Sequence, residues 1–237
     1  MRILIVSDIH ANPWALHAVA REAGAVDHIL CAGDTVNYGP DPQAVVTWLR
    51  DHAVITVRGN HDHAVALDVD PKASPAKQAV ALAMRDWTRS QLAPSDLTWL
   101  ARLPLTADWE IGGCRFALVH GTPLDPLYDY RLSPRSAEAL LDELTTGLRT
   151  DVLVLGHTHL PLLRRWRGIQ IVNPGSVGQP LDGDARAAYA VWEDGVLSLR
   201  RSAYDQTDLI DQLGRVPLAS PLGAELIHML RRASSSA

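Results

Sequence analysis

Carboxylate, amide and imidazole side chains stand in five short motifs, each directly after a run of apolar residues. The motifs are Ser7-Asp8-Ile9-His10, Gly33-Asp34, Gly59-Asn60-His61-Asp62, His120-Gly121 and Gly156-His157-Thr158-His159. Without thiolates, such ligands suit Mn, Fe, Zn, Co or Ni better than a structural zinc site built from cysteine. One ion cannot use them all, but two ions about 3.5 to 4 Å apart could share a carboxylate, activate water and hold a phosphoryl oxygen. The motifs therefore predict a two-metal hydrolytic site.

Strand-like runs precede the motifs and must position them. Runs 3–6, 29–32 and 54–57 are continuously apolar, as in strands covered on both faces. Asn12 and Asp41 are each followed by proline, which predicts that a helix begins after the first and second strands. Strand-helix units in succession predict a parallel sheet, and the carboxyl ends of its strands meet at one edge. We therefore expect the motifs to converge there.

The second half of the chain predicts a second sheet. Segments 106–111 and 115–119 flank Gly112-Gly113, a hairpin turn, and run 152–155 leads into the last histidine motif. Short strand-like segments at 162–166, 169–172, 187–192 and 196–199 predict that this sheet is largely antiparallel. The expected fold is α/β, a two-sheet αββα sandwich in a single domain spanning 1–237. A helical insertion at about 64–104, C-terminal helices at about 205–232 and a disordered end at 233–237 complete the prediction.

Composition restricts the partners and the compartment. The formal net charge of −5 argues against a nucleic-acid partner, so a small phosphate ester is the expected substrate. Cys31 and Cys114 cannot build a disulfide framework, which is typical of a reducing interior. The short apolar start leads straight into Asp8, and no eighteen apolar residues follow one another. We expect a cytoplasmic protein without membrane association; its oligomeric state stays open.

Taken together and in this order, the five motifs closely resemble the calcineurin-like metallophosphoesterase superfamily, and most of all its small single-domain bacterial phosphodiesterases. The resemblance extends from Asp8 to about Ser176. It implies the αββα fold and two divalent ions, with manganese the first expectation. It also implies the ligand sets, which are Asp8, His10, Asp34 and His159 for one ion and Asp34, Asn60, His120 and His157 for the other. His61 then corresponds to the catalytic histidine that assists the leaving oxygen.

The sequence departs from the related serine/threonine protein phosphatases after Asp34. Those enzymes carry an Asp-Arg-Gly triplet where this chain has Asn37-Tyr38-Gly39. We expect the carbonyl oxygen of Asn37 to orient His61, which makes Asn37 a second catalytic candidate. The missing arginine removes a bidentate phosphate clamp and should penalise a dianionic monoester more than a monoanionic diester. The departure therefore predicts a preference for phosphodiesters.

Substrate contacts are assigned from position alone. Arg58 and Asn12 stand beside the ligand motifs, although an ion pair and a helix cap respectively would also explain them. Tyr128 and Arg131 lie in loop 121–132, the expected specificity loop. Alternative functions are a phosphomonoesterase or protein phosphatase, a dinucleoside polyphosphate hydrolase, a nuclease, which would need a basic groove, and a non-enzymatic scaffold. A scaffold is disfavoured because no implied ligand is replaced.

Overall fold

Two five-stranded β-sheets and eight helices make up the part of the chain that this computed structural model describes, residues 1–234. The strands are β1 (Arg2–Val6), β2 (His28–Cys31), β3 (Ile55–Thr56), β4 (Thr106–Ile111), β5 (Cys114–Val119), β6 (Val152–Val154), β7 (Leu162–Trp166), β8 (Ile169–Asn173), β9 (Ala187–Glu193) and β10 (Val196–Ser202). The helices are α1 (Pro13–Ala23), α2 (Pro42–Asp51), α3 (Asn60–Leu67), α4 (Gln78–Gln91), α5 (Pro94–Arg102), α6 (Glu138–Thr145), α7 (Thr207–Leu213) and α8 (Leu222–Arg232). None of the helices described is long and apolar enough to cross a membrane.

The first sheet has the order β10-β9-β1-β2-β3, with β1, β2 and β3 parallel. Both faces of the central strand β1 are buried, which explains its continuous apolar sequence. Ile3 and Ile5 pack into the core shared with the second sheet, whereas Leu4 and Val6 pack beneath α1. As predicted, α1 and α2 begin at prolines, and Asn12 and Asp41 accept hydrogen bonds from Ala15 and Ala44 as N-caps. This parallel core delivers Asp8 and Asp34 to one edge.

The second sheet has the order β4-β5-β6-β8-β7 and is mixed, so the predicted largely antiparallel sheet is wrong. Strands β5, β6 and β8 are parallel, and only the edge strands β4 and β7 are antiparallel to their neighbours. Strands β9 and β10 join the first sheet instead, where β9 pairs with β1. Strand β9 is buried over almost its whole length, which suits a position beside the central strand better than an edge. The two-sheet sandwich itself is confirmed.

Of the two helices in the predicted insertion, α5 begins at Pro94 as its proline indicates, whereas α4 begins later than Ser74-Pro75, which the sequence favours as its start. Helix α4 begins at Gln78, because residues 74–77 form a separate turn in which the Lys77 amide donates to the Ser74 carbonyl. Likewise α6 begins at Glu138, after a turn in which Ser133 and Ser136 bond one another. The C-terminal helices α7 and α8 pack on α4 in one apolar cluster. The predicted disordered end is wrong at Ala233, which is buried and forms the C-cap of α8, and its residues from 235 onward lie outside the described residues.

Candidate metal centre

The five motifs converge where β1, β2, β3, β5 and β6 end, at one edge shared by both sheets. Their ligand atoms form two buried groups, and within each group all atoms lie within 4.8 Å of one another. The groups are Asp8, His10, Asp34 and His159, and Asp34, His120 and His157. Asn60 adjoins the second group, because its Oδ1 lies 3.1 Å from His120 Nε2 while its amide nitrogen donates to the Pro71 carbonyl. Asp34 belongs to both groups, so one carboxylate is common to the two candidate sites.

Three of these histidines have one ring nitrogen committed to the backbone. The bonds join Nδ1 of His10 to the Val36 carbonyl at 3.3 Å, His120 to Ala32 at 2.7 Å and His159 to Gln179 at 2.5 Å. A carbonyl only accepts, so each Nδ1 carries a proton, and Nε2 is the ring nitrogen that faces the other ligands. His10 Nε2 and His159 Nε2 nevertheless lie 3.1 Å apart. Two ring nitrogens at that distance are stable when a proton or a metal ion lies between them, and second bonds from Nδ1 to the backbone are typical of metal-bound histidine.

Charge and burial set the charge states of the ligand side chains, and these also favour a bound cation. Burial lowers the pKa of His10 and of His157 well below the usual value, so both rings are neutral and ready to ligate. Burial alone would raise the pKa of Asp34, but His120 and His61 outweigh it and hold that pKa well below its usual range. Burial would likewise lower the pKa of His120, yet Asp34 raises it to about 9. A buried carboxylate thus needs positive charge close by, and a divalent ion would supply it in place of the His120 proton.

Backbone strain is concentrated at this edge. Asp8, His10, Asp34, His157 and His159 all have φ between 49° and 70°, in the left-handed region. Each such residue costs about 1 kcal/mol or more, and strain of this kind collects at functional sites. It persists because the flanking strands hold both ends of every turn.

Two glycines permit the close approach of the turns. A Cβ on Gly59 would lie 2.0 Å from Asp34 Oδ1, and one on Gly33, whose φ is +89°, would lie 2.7 Å from the Gly59 nitrogen. Asp62 then ties these turns together, because its carboxylate accepts hydrogen bonds from Thr35, Val36 and the Gly59 amide. The sequence analysis did not assign a role to Asp62. Its place in the Gly-Asn-His-Asp motif was the available signal.

His61 lies at the rim of the two ligand groups, with Nε2 4.0 Å from Asp34 Oδ2. Its other ring nitrogen, Nδ1, lies 2.8 Å from the side-chain amide nitrogen of Asn37. That amide orientation is set by its neighbours, because Asn37 Oδ1 accepts from the Tyr38 amide and Nδ2 also donates to the Ala81 carbonyl. Asn37 therefore donates to His61, and the expectation that its carbonyl oxygen orients the ring is wrong. His61 then carries its proton on Nε2, and burial lowers its pKa to about 4.

Two of the four predicted substrate contacts, Asn12 and Arg131, are engaged by other groups of the protein. Asn12 is buried and uses its side chain on Ala15, Gly178 and Tyr204, so it is a helix cap and not a free phosphate contact. Arg131 is paired with Asp129 and Glu143 and holds the specificity loop together, which leaves its guanidinium committed. Those two assignments need correction.

Arg58 and Tyr128 remain candidates for substrate contact. Arg58 donates to the Ala101 carbonyl but has a buried Nε without a partner. Tyr128 is half-buried beneath Lys72, whose Nζ lies 4.3 Å from the ring centroid. Both side chains therefore stay available at the margin of the centre.

Three further residues, which the sequence analysis did not select, lie on or beside the centre. The Tyr130 ring stacks on His157 with ring centroids 3.6 Å apart. Tyr38 packs against His61 and His10, with ring centroids 4.7 and 5.0 Å apart, and its buried hydroxyl has no hydrogen-bond partner within residues 1–234. Lys77 lies over Tyr38, with Nζ 5.8 Å from the ring centroid. Lys77 is the N-cap of a helix whose first turn contains no acid. A cation at that end is disfavoured by the helix dipole, and this is a signal that the sequence carries.

Comparison with known proteins agrees with this geometry. Residues 1–194 match the model of the calcineurin-like phosphoesterase superfamily domain. The chain belongs to this superfamily. It is therefore a hydrolase of phosphoester bonds, of a family that uses divalent metal ions, and the resemblance seen in the motifs is confirmed.

Individual relatives cover nearly the whole chain. Protein MJ0912 of Methanocaldococcus jannaschii is 30% identical over 94% of this chain and 96% of its own length. Phosphodiesterase YfcE of Escherichia coli is 29% identical over 84% of this chain and 91% of its own length. The crystal structure of a metallophosphoesterase from Sphaerobacter thermophilus is 34% identical, superposes with a TM-score of 0.79, and covers 96% of this chain and 99% of that one. The metallophosphoesterase fold is thus shared along its length.

Proposed function

We propose that this phosphoesterase is a two-metal phosphodiesterase acting on a small phosphate ester. The observation that carries the proposal is the pair of imidazole Nε2 atoms of His10 and His159, 3.1 Å apart beside Asp8 and Asp34. Side chains arranged in this way are stable together when they share a cation. The resemblance to phosphodiesterase YfcE supports the same substrate class.

The ligands in this proposal are Asp8, His10, Asp34 and His159 for one ion, and Asp34, Asn60, His120 and His157 for the other. The donor set fits a divalent ion, since it contains oxygen and neutral nitrogen atoms and no thiolate; manganese is the ion we propose. Two such ions would supply an activated water and would hold the phosphoryl oxygens in place. The buried carboxylates and second bonds described above hold the ligands ready for them.

His61 is proposed to act on the leaving oxygen. Its Nε2–H can donate a hydrogen bond there, because Asn37 holds the proton off Nδ1. Over the reaction, an oxygen of water forms the new bond to phosphorus, and the bond to the leaving oxygen breaks with its electron pair going to that oxygen. One proton of the water ends on the leaving group or in solvent. A neutral His61 stabilises developing charge and does not replace a strong acid.

Preference for diesters follows from the residues that stand where a phosphatase has an acid and an arginine. Asn37 and the buried Tyr38 provide neither a carboxylate nor a guanidinium clamp. With Mn²⁺ we expect a higher kcat/KM for bis(p-nitrophenyl) phosphate than for p-nitrophenyl phosphate, and no hydrolysis after chelation. A strong preference for the monoester would contradict the diester assignment. Inactivity on the diester with every divalent ion tried would favour the non-catalytic scaffold.

Replacement of Asn37, whose side-chain amide contacts His61, tests the protonation state of His61 more sharply. In Asn37→Asp a carboxylate would accept a proton from Nδ1, so the pKa of His61 should rise and the ring should gain a proton as the pH falls. For 2′,3′-cyclic AMP, whose alkoxide leaving group needs a proton, the ratio of variant to wild-type kcat/KM should therefore fall as pH rises from 5 to 9. Bis(p-nitrophenyl) phosphate is the control, because its phenolate leaves without a proton. A flat ratio for the cyclic nucleotide would contradict this role for Asn37.

A further inference from the structure

Lys77 is a largely buried lysine whose ammonium group has no ion-pair partner among the described residues. Its side chain is 7% exposed, and within residues 1–234 its Nζ makes neither a hydrogen bond nor an ion pair. Its polar environment is the Tyr38 ring at 5.8 Å and the more distant carboxylates Asp8 and Asp34. A buried charge without such bonds is costly. An ammonium in this state is arranged for an anion that arrives from outside the chain.

The position of Lys77 is unusual in two further respects. It is the N-cap of the 14-residue helix α4, where the helix dipole already disfavours a cation and no acid in the first turn offsets it. Lys72 and Lys77 are also the two lysines of the sequence, which otherwise carries its positive charge on arginine. Both lie in the segment between α3 and α4 that borders the metal centre.

Metal binding would increase the excess of positive charge around Lys77. Without ions, Asp8 and Asp34 partly balance the ammonium through space. Two divalent ions would more than neutralise those carboxylates, so Lys77 would then add to an excess of positive charge. A substrate that brings a single negative charge would leave part of that excess uncompensated. A second anionic group beside the reacting phosphorus would balance it.

Lys77 lies on the side of the centre that His61 occupies. Tyr38 contacts both, with 4.7 Å between the Tyr38 and His61 ring centroids, and its unpartnered hydroxyl is a second buried polar group there. In the function proposed above, that is the side on which the leaving oxygen departs. The anion that Lys77 binds therefore belongs to the leaving group.

From this arrangement we infer that Lys77 binds a phosphate carried by the leaving group, so that the substrate class is a pyrophosphate-linked diester such as a dinucleoside polyphosphate. The inference rests on the proposed function. Water oxygen bonds to one phosphorus, the P–O–P bridge breaks, and its electron pair stays on the bridging oxygen of the departing phosphate, where Lys77 offsets the charge. The second product is the other phosphate ester, and one proton is released to solvent or to a product.

Two substrates that differ in the leaving group test this inference. Diadenosine diphosphate releases AMP, whereas bis(p-nitrophenyl) phosphate releases a phenolate without phosphate. Lys77→Met should lower kcat/KM for diadenosine diphosphate about 10- to 100-fold more than for the aryl diester, the cost of one charged hydrogen bond. The same variant should raise the inhibition constant of AMP by a similar factor and leave that of adenosine within threefold. Lys72→Met, the other lysine, should change the ratio of the two substrates by less than threefold.

Several results would overturn the assignment of Lys77. They are an equal loss on both substrates, a loss of bound metal, or a fall in Tm that Lys77→Arg does not restore, each of which indicates a structural charge. If Lys77→Met does not fold, labelling of the wild-type protein by acetic anhydride replaces it. AMP should then slow acetylation of Lys77 at least tenfold and not that of Lys72, and equal protection would overturn the inference. Failure to hydrolyse even the aryl diester would instead count against the proposed function.

Discussion

Asp34→Asn should lower kcat/KM for bis(p-nitrophenyl) phosphate by roughly 10³-fold, because it removes the one carboxylate that both ligand groups contain. The fold should survive the exchange. Asparagine keeps the shape and an oxygen that can accept the His61 amide, now bonded to Asp34 Oδ1 at 2.9 Å. Metal content by mass spectrometry should fall from two manganese ions per chain to one or none, and activity should fall with it.

Asp41→Asn is the matched control, because it also replaces one carboxylate by an amide but lies outside the ligand groups. Asp41 caps α2 through a 3.0 Å hydrogen bond from the Ala44 amide, and asparagine is an equally good N-cap. The control should keep both ions and activity within about twofold. Full metal occupancy in Asp34→Asn would remove the bridging role from Asp34 and require another arrangement of the ligands.

His61→Ala should retain both metal ions and lose about 10²- to 10³-fold in kcat, the usual effect of deleting a hydrogen-bond donor to developing negative charge. The loss should be larger for 2′,3′-cyclic AMP than for bis(p-nitrophenyl) phosphate. The alkoxide leaving group of the cyclic nucleotide is less stable than a phenolate, so it depends more on a hydrogen bond from His61. KM should change much less than kcat, because the donor is needed mainly as the bond breaks.

His63→Ala provides the comparison on the same helix. His63 is half-buried, and its side-chain Nδ1 has no partner among the described residues, so its removal should change kcat by less than about threefold. Loss of metal from His61→Ala would show that this ring supports the ligands and would contradict a direct role. An equal loss on both substrates would place its effect before bond cleavage.

The local parts of this protein were accessible from sequence because they depend on neighbouring residues. Asn12 and Asp41 cap the helices that follow them, and the apolar run of β1 reflects burial on both faces. The prediction was wrong for β9, whose partner β1 lies almost 190 residues earlier in the chain. Strand pairing over such a separation depends on which faces are covered, and a run of apolar residues is compatible with either sheet.

The site shows the same division. Asp8, His10, Asp34, Asn60, His120, His157 and His159 could be named from motifs, because each follows its own strand and parallel strands end at a common edge. The orientation of the Asn37 side-chain amide could not be predicted. It is set by the Ala81 carbonyl, which belongs to a helix that begins some forty residues later. Arg131 remained a candidate for substrate because Glu143, one of the two carboxylates that bind its guanidinium, lies twelve residues away on α6.

The sequence by itself determined the family, the chemistry of the centre and the residue types available for two metal ions. Only the tertiary structure decided which side of Asn37 faces His61, that Tyr130 stacks on His157, and that Lys77 lies over Tyr38 without an ion-pair partner among the described residues. The physical reason is that ligand types are properties of single residues, whereas hydrogen-bond direction and uncompensated charge depend on every group packed around them.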